Sequence, residues 1–277
     1  QMAREAFTTS TTFFDSSIRR PIEASIRQFQ GIHPAGSKYH SDTYKARSRL
    51  FRPKTRTTIR KNEAVAAEAL FSTADVVSIT PEDDENELQQ ASAAVLQALL
   101  NYRLKKSIPW FLTVIGAYQD AQTVGVCVSY QHWIYDAKKK VDKPVIELLP
   151  VENLRIDPGA SWADPINSSP YVIRMIPMYV KDVKARMTGV DQKTGQPKWK
   201  ALDDAHILTA MNQTGDSTRL TRERGRTDSK EQSQGIRDFA IVWVHQNFIE
   251  VDGQDMVFYT LGTTAMLPFT PEHYDVA

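Results

Sequence analysis

The stretch at residues 144–187 constrains the fold more than any other part of the chain. It reads PVIELLPVENLRIDPGASWADPINSSPYVIRMIPMYVKDVKARM. Two apolar runs, 145–149 and 171–176, are each followed by a proline, which cannot donate to a sheet ladder and is expected to end the strand. A short helix is expected at 179–187, with Gly189 as its stop. The pattern predicts a scaffold of strand, loop, strand and helix, without an obvious reactive group.

Residues 38–61, which we call the basic arm, are the strongest charge feature. The arm holds nine Lys or Arg residues against one acid, Asp42, and Tyr39, Tyr44 and Phe51 interleave with the cations. Such a segment can neutralise phosphates while its rings stack on bases. It can equally be a solvated arm, or a basic surface that meets an acidic face of a neighbouring subunit. The candidate contacts to DNA or to another subunit are Lys45, Arg47, Arg49, Arg52, Lys54 and Arg56.

A second polar segment spans residues 212–235 and has Leu220 as its one hydrophobic residue. This composition predicts a mobile loop. A hairpin is expected after it, with strands at 239–251 and 256–261 joined by an Asp252-Gly253 turn. The candidate contacts of this loop to a partner protein are Arg219, Arg222, Arg224 and Arg226.

Hydrophobic periodicity predicts the remaining elements. Further helices are expected at 21–30, 62–71, 82–106, 108–120 and 202–210. Further strands are expected at 75–80, 123–130 and 132–136, and residues 1–12, rich in Ser and Thr, are expected to be loose.

The helix at 82–106 is the longest predicted element. It carries an apolar stripe at positions 88, 91, 95, 99 and 102. Its acidic first turn and basic last turn match the helix dipole. We interpret the acidic first turn as the dipole-matched start of the helix rather than as a metal site, because carboxylates at successive helix positions point in different directions. The next helix, 108–120, is apolar nearly all round, which predicts burial between layers or between subunits.

Together these elements predict an α+β fold in which long helices pack on small mixed sheets. We expect three segments along the chain. Residues 1–61 form an N-terminal helix and the basic arm, 62–200 an α+β body, and 201–277 a loop and β-hairpin region.

Several kinds of chemistry have no signature here. The chain of 277 residues lacks a phosphate-binding loop motif, a G-x-S-x-G elbow and an H-E-x-x-H pair. Its six histidines are scattered without metal-ligand spacing, and His245 is expected to be structural. Its one cysteine, Cys127, excludes an internal disulfide and is expected to be buried and inert. We therefore expect a protein without enzymatic activity, cofactor or metal.

An alternative to a non-enzymatic structural protein stays open at this point. The chain could be a nucleic-acid-binding module or a metal-dependent nuclease. Asp157, Asp164, Asp203 and Asp204 could imitate the carboxylate set of a nuclease. The first two precede prolines in turns, where an Asp side chain commonly bonds its own backbone. The net charge of +1 gives no overall attraction to DNA.

The order of these motifs resembles portal proteins, the head-to-tail connectors of tailed double-stranded-DNA bacteriophages. The resemblance lies in ENLRIDP after a strand, the Trp-Ala-Asp-Pro loop, SPYVIR and the VKDVKARM helix. A second similar block is YHSDTYKARSRLFRPK at residues 39–54. The pattern covers roughly residues 39–269.

The resemblance implies a portal-type wing region, with 201–277 belonging either to the stem and clip or to the wing. It implies a dodecameric ring at one capsid vertex, through which double-stranded DNA is packaged and ejected. The implied partners are the terminase large subunit, the major capsid protein and the head–tail adaptor or tail proteins, with no membrane. The protein would be assembled in the host cytoplasm and reside in the virion. Portal proteins usually continue into a helical crown, so we expect the chain to be a fragment.

Overall fold

A computed structural model describes residues 1–34, 36–44, 46–48, 50–73, 75–136, 140–190, 197, 199–212, 218, 222, 236–268 and 272–273. The chain divides into two compact units. Unit 1 comprises residues 1–23 and 152–277, and unit 2 comprises residues 24–151. The expected segment limits at 61 and 200 do not coincide with the limits of these units.

Helices and small sheets make up the described chain, which confirms the α+β class. The helices are α1 Met2–Phe13, α2 Arg19–Gln30, α3 Lys54–Leu70, α4 Glu87–Lys106, α5 Trp110–Val124, α6 Val180–Thr188 and α7 Asp204–Met211. The strands are β1 Val128–Asp136, β2 Val141–Leu149, β3 Leu154–Ile156, β4 Tyr171–Tyr179, β5 Ile241–Val251, β6 Gln254–Leu261, β7 Ala265–Met266 and β8 Glu272–His273. All described strand pairs are antiparallel, where the sequence led us to expect mixed sheets.

Unit 1 is built on a sheet with the strand order β3-β4-β5-β6-β7, and β8 pairs with β6. Its longest pairing joins β4 to β5, from Tyr171 opposite Ile249 to Tyr179 opposite Ile241. The turn between β5 and β6 has positive φ at both Asp252 (53°) and Gly253 (76°). Two such residues match the twist of a two-residue hairpin, so the predicted Asp-Gly turn is confirmed.

Strand β5 is buried on both faces. Val242 and Val244 belong to one apolar core with Val183 of α6 and Ile207 of α7. The alternate residues of β5 include His245, whose ring lies 4.4 Å from the ring of Phe7 in α1, centroid to centroid. The sheet is therefore covered by helices on both sides, α6 and α7 on one and α1 on the other.

Residues 2–12 lie in α1, so the expectation that residues 1–12 are loose was wrong. Their hydroxyls bond to carbonyls one turn back, as Ser10 does to Ala6 at 2.7 Å and Thr8 to Arg4 at 2.8 Å. Ser10 and Phe14 are also buried. Packing of one face, rather than local preference, stabilises this helix. A π-helical turn, Phe14–Ile18, then carries the chain from α1 into α2.

In unit 2, α3 begins at Lys54, eight residues before the predicted start at Asn62. Ile59 in the added turns is buried, and Arg60 donates to Glu63 at 2.8 Å. Helix α5 packs against α3 and β2. A β-carbon at Gly116 of α5 would stand 2.8 Å from a methyl carbon of Leu148, so a larger residue here would require the Leu148 side chain to move.

The strand predicted at 75–80 does not form. Its amides bond instead to side chains of α4. The side chain of Asn101 accepts from the amides of Val76 (2.9 Å) and Val77 (3.1 Å) and donates to the carbonyl of Val77 (2.9 Å). Gln97 accepts from the amide of Ile79 at 3.0 Å. An extended apolar run thus satisfies its backbone without a partner strand.

Two further expectations were wrong. Pro177 does not end β4, which continues to Tyr179. Strand β3 pairs only with residues 172–174, so Pro177 lies where that edge of β4 has no partner among the described strands, a position where proline is tolerated. Cys127 is exposed rather than buried, because α5 runs on to Val124 and Cys127 falls in the short link to β1.

We predict that Asn101→Ala lowers the free energy of unfolding by about 1–3 kcal/mol, because two backbone amides lose their acceptor. Hydrogen exchange of the amides of Val76 and Val77 should speed up in parallel. Asn62→Ala is the control, since the amide of exposed Asn62 makes one long contact of 3.4 Å to Gln122. Equal stability of the two variants would show that Asn101 does not hold this segment.

Candidate interaction surfaces

The basic arm folds around a group of aromatic rings. The rings of His33 and Tyr39 are stacked at 4.1 Å, and His33 meets the edge of Phe51 at 5.0 Å. Tyr39 contacts Tyr44 at 5.8 Å. Lys38 Nζ lies 5.5 Å and 5.6 Å from the centres of Tyr39 and Tyr44. The rings and cations that the sequence interleaves are therefore brought together into one surface.

The six candidate residues of the arm have different roles. Arg47 is exposed, and its guanidinium carbon lies 5.3 Å from the centre of the Tyr44 ring. Arg52 and Lys54 are exposed, and Lys54 opens α3. Arg56 instead donates to the carbonyls of Phe29, at 2.8 Å, and Gln30. It therefore holds the end of α2, where helix carbonyls lack partners. Lys45 and Arg49 lie outside the described residues.

The geometry of the arm bears on what it can bind. A platform for single-stranded nucleic acid needs open ring faces on which bases stack. Tyr39 is stacked on His33, with Lys38 close to the same ring. The aromatic rings of the arm contact one another and hold the arm together. The groups that the arm exposes to a partner are therefore cations, Arg47 and Arg52 among them.

Of the second set of candidates, the structure describes Arg222, whereas Arg219, Arg224 and Arg226 lie outside the described residues. Arg222 makes a two-pronged ion pair with Glu152, with Nε 2.7 Å from Oε1 and Nη2 3.2 Å from Oε2. Glu152 is fully buried. This arginine therefore satisfies an interior carboxylate of unit 1.

Arg155 and His245 extend this buried polar group. Arg155 donates to the carbonyls of Glu152 and Leu154, both at 2.8 Å, and its guanidinium carbon lies 4.2 Å from the centre of the Phe14 ring. Burial, and then the positive charge of Arg155, lower the pKa of His245 to about 4. The imidazole is therefore neutral at neutral pH and acts as a packing group, as predicted for this residue.

A cavity of about 440 Å³ lies beside this group, between α1 and the sheet. Its walls are mostly apolar and include Phe7, Ile249 and Phe258. Arg4, which also lines it, donates from Nε to the carbonyl of Thr263 at 3.1 Å. The cavity places hydrophobic side chains next to the neutral imidazole of His245. This combination does not indicate a catalytic site.

Helix α4 presents an uncovered apolar stripe. Its members are Leu88 (77% exposed), Val95 (67%), Leu99 (48%) and Tyr102 (59%). The spacing of seven and of three to four residues places them on one side of the helix, the arrangement by which helices pack in coiled coils. The sequence predicted the stripe, and the structure shows that it stays exposed. We call it the α4 stripe.

The loop at residues 157–170 of unit 1, which we call the Trp162 loop, presents the most exposed large hydrophobic side chain of the described chain. Trp162 is 93% exposed. Hydrogen bonds tie the loop across its width, from the amide of Asp157 to Ser169 Oγ (3.0 Å) and from the amide of Ser161 to Ser168 Oγ (2.8 Å). The Trp-Ala-Asp-Pro motif marks this loop in the sequence, but the exposure of Trp162 depends on how the loop folds and has no signal in the motif.

The two loop aspartates bond within the loop, as predicted. Asp157 accepts from the amide of Gly159 at 3.0 Å, and Asp164 accepts from the amide of Asn167 at 3.3 Å. Asp157 also accepts from the hydroxyl of Tyr171 at 3.3 Å. Burial, and then the charge of Asp157, raise the pKa of Tyr171 to about 12, so this hydroxyl remains a donor.

Within the described ranges, no group of three or more His, Cys, Asp or Glu side chains is placed to hold a metal ion. Across the same residues, no helix combines the length and the apolar character that crossing a bilayer requires. No protein-family model and no curated protein matches the chain.

We predict that Arg222→Met lowers the free energy of unfolding by about 3 kcal/mol, because a fully buried carboxylate loses its partner. Adding Glu152→Gln to this variant should recover part of the loss, since a neutral amide is less costly to bury than a charge. Chemical denaturation measures both effects. An Arg222→Met protein as stable as the wild type would mean that this side chain is available for other contacts.

The pKa of His245 predicts a pH dependence of stability. The unfolded chain has the ordinary value of 6.5 and the folded chain about 4, so the unfolded state binds more protons between these values. Stability contributed by the neutral imidazole is complete above pH 6.5 and falls by about 3 kcal/mol as the pH drops to 4. His245→Leu should remove this component from the denaturation profile. Parallel profiles for the two proteins over pH 4–6.5 would contradict it.

Proposed function

We propose that the chain is a structural subunit of a homo-oligomeric ring, the portal of a tailed double-stranded-DNA bacteriophage. The ring would be a dodecamer at one vertex of the capsid, with DNA passing through its centre. It would dock the terminase large subunit and later the head–tail adaptor or tail proteins, against the surrounding major capsid protein. The subunit would act through shape and assembly rather than through catalysis.

The α4 stripe is the observation that carries this proposal. Fully burying one exposed apolar side chain contributes about 1.5–3 kcal/mol, so covering the exposed parts of these four would contribute roughly 4–7 kcal/mol. A helix of this length is stabilised in water mainly by packing of its apolar face. Contiguous exposed apolar surface typically marks a protein interface. The stripe's spacing suits a helix of another copy as its cover.

The distribution of charge also supports a conduit. A protein through which DNA slides must not hold the phosphate backbone tightly. The net charge of +1 provides no uniform attraction, while the basic arm concentrates cations in one segment. Segregated charge of this kind suits contacts between different faces of ring neighbours, as a head-to-tail assembly requires.

The alternative of a nuclease draws no support from the two loop aspartates. A two-metal nuclease site needs carboxylates that converge on a shared point. Asp157 and Asp164 are instead bonded to the amides of Gly159 and Asn167 in their own loop.

We predict that Val95→Asp reduces assembly at least tenfold, measured by mass photometry as the concentration at which half of the copies are in the large species. A charge in the α4 stripe would have to be desolvated in the interface. Val190→Asp is the matched control, because Val190 is similarly exposed at 59% and lies in unit 1. The wild type should form one large closed species.

Two results would contradict the proposal. One is a wild-type chain that stays monomeric at all micromolar concentrations. The other is equal assembly of the Val95→Asp and Val190→Asp variants, which would show that the α4 stripe is not an interface.

A further inference from the structure

The Trp162 loop has the properties of a preformed binding knob. Trp162 projects from it almost wholly exposed, and Ile166 is exposed by 47%. Tryptophan is the residue type that most often dominates the energy of protein interfaces. Because the loop is already fixed by its internal hydrogen bonds, little conformational entropy remains to be lost when the side chain is covered.

The knob is acidic as well as apolar. Residues 157–173 contain Asp157 and Asp164 and no Lys, Arg or His. Asp164 is exposed and follows the tryptophan by two residues in the sequence. A complementary surface should therefore offer apolar contact area surrounded by cations.

The basic arm of the same sequence offers this chemistry. Leu50 is exposed by 76%, with exposed Arg47 and Arg52 close to it in sequence. Guanidinium groups are attracted to the faces of aromatic rings, and the guanidinium carbon of Arg47 lies 5.3 Å from the centre of the Tyr44 ring. The arm belongs to unit 2 and the knob to unit 1, so the two surfaces are different parts of one subunit.

We propose that the Trp162 loop of one copy docks on the basic arm of the next copy, with Trp162 against Arg47 and Leu50. The contact rests on the proposed ring function and gives it a head-to-tail interface, in which each copy donates a knob and receives one. DNA phosphates repel an acidic knob. The partner of the knob in this proposal is therefore a protein surface that carries cations. The arm is the acceptor for an acidic partner rather than a stacking surface for bases.

Single substitutions test this contact by mass photometry of the full chain. Trp162→Ala should raise the concentration for half assembly at least tenfold, and Trp133→Ala, at an exposed tryptophan of β1, should leave it within twofold. Ala163→Lys places a cation beside the knob without touching the hydrogen bonds that fix the loop, and should also weaken assembly tenfold. Ala163→Glu, its matched control, should not weaken it. Circular dichroism checks that all variants are folded.

Two combinations make the test specific. Arg47→Glu should weaken assembly alone and restore it when combined with Ala163→Lys in the same chain. A mixture of Trp162→Ala chains with Arg47→Glu chains should assemble at a lower concentration than either variant alone, because one intact knob then meets one intact arm. These results require that the knob and the arm meet between copies.

The possible failures are distinguishable. A wild type that assembles normally, with Trp162→Ala and Ala163→Lys assembling equally well, overturns the knob contact and leaves the ring proposal standing. A wild type that is monomeric at every concentration overturns both. Loss of DNA binding in Arg47→Glu with unchanged assembly would assign the arm to nucleic acid and overturn the contact.

Discussion

The pairing of β4 with β5 is the constraint on which unit 1 depends. It joins residues 171–179 to residues 241–249, which are far apart in the sequence, in one continuous antiparallel ladder. This ladder presents apolar side chains to α6 and α7 on one face, with Val242, Val244 and Leu261 fully buried there. On the other face it supports α1 and the buried polar group around Glu152 and Arg155. The packing of the N-terminal helix therefore depends on the sheet that this strand pair builds.

The buried polar group is tolerated because its charges have partners. Glu152 is fully buried, yet both of its carboxylate oxygens accept hydrogen bonds from Arg222. Arg155 finds backbone carbonyls and an aromatic ring. A buried charge that is paired on all sides is stable, whereas the loss of one partner is costly. The polar composition of this region therefore reflects the interior of the fold and not a reactive site.

Local sequence patterns predicted the elements whose signals are short range. The Asp-Gly hairpin, the long helix α4 with its stripe, the end of α2 after residue 30 and the internal bonding of the loop aspartates are all of this kind. The predictions failed where distant contacts decide the outcome. The helix at residues 1–12 depends on packing against the sheet, and the run at 75–80 is held by Asn101 rather than by a strand.

The candidate residues show the same division. Charge density in the sequence located the basic arm, and the structure brings its rings and cations together. The sequence could not show that Arg56 holds the end of α2, or that Arg222 pairs with buried Glu152. In both cases the two interacting groups are far apart in the sequence. The exposure of Trp162 likewise depends on a loop fold that its neighbours in sequence only partly indicate.

In unit 2, the surface of α4 has the character of an interface, and in unit 1 so does the tip of the Trp162 loop. Neither feature stabilises the isolated chain, and both are explained if copies of the chain cover them. Electron microscopy of the purified protein at assembling concentration tests this account most directly. We predict closed rings with a central opening and repeated identical contacts between neighbours. A field of single, separate particles would contradict it.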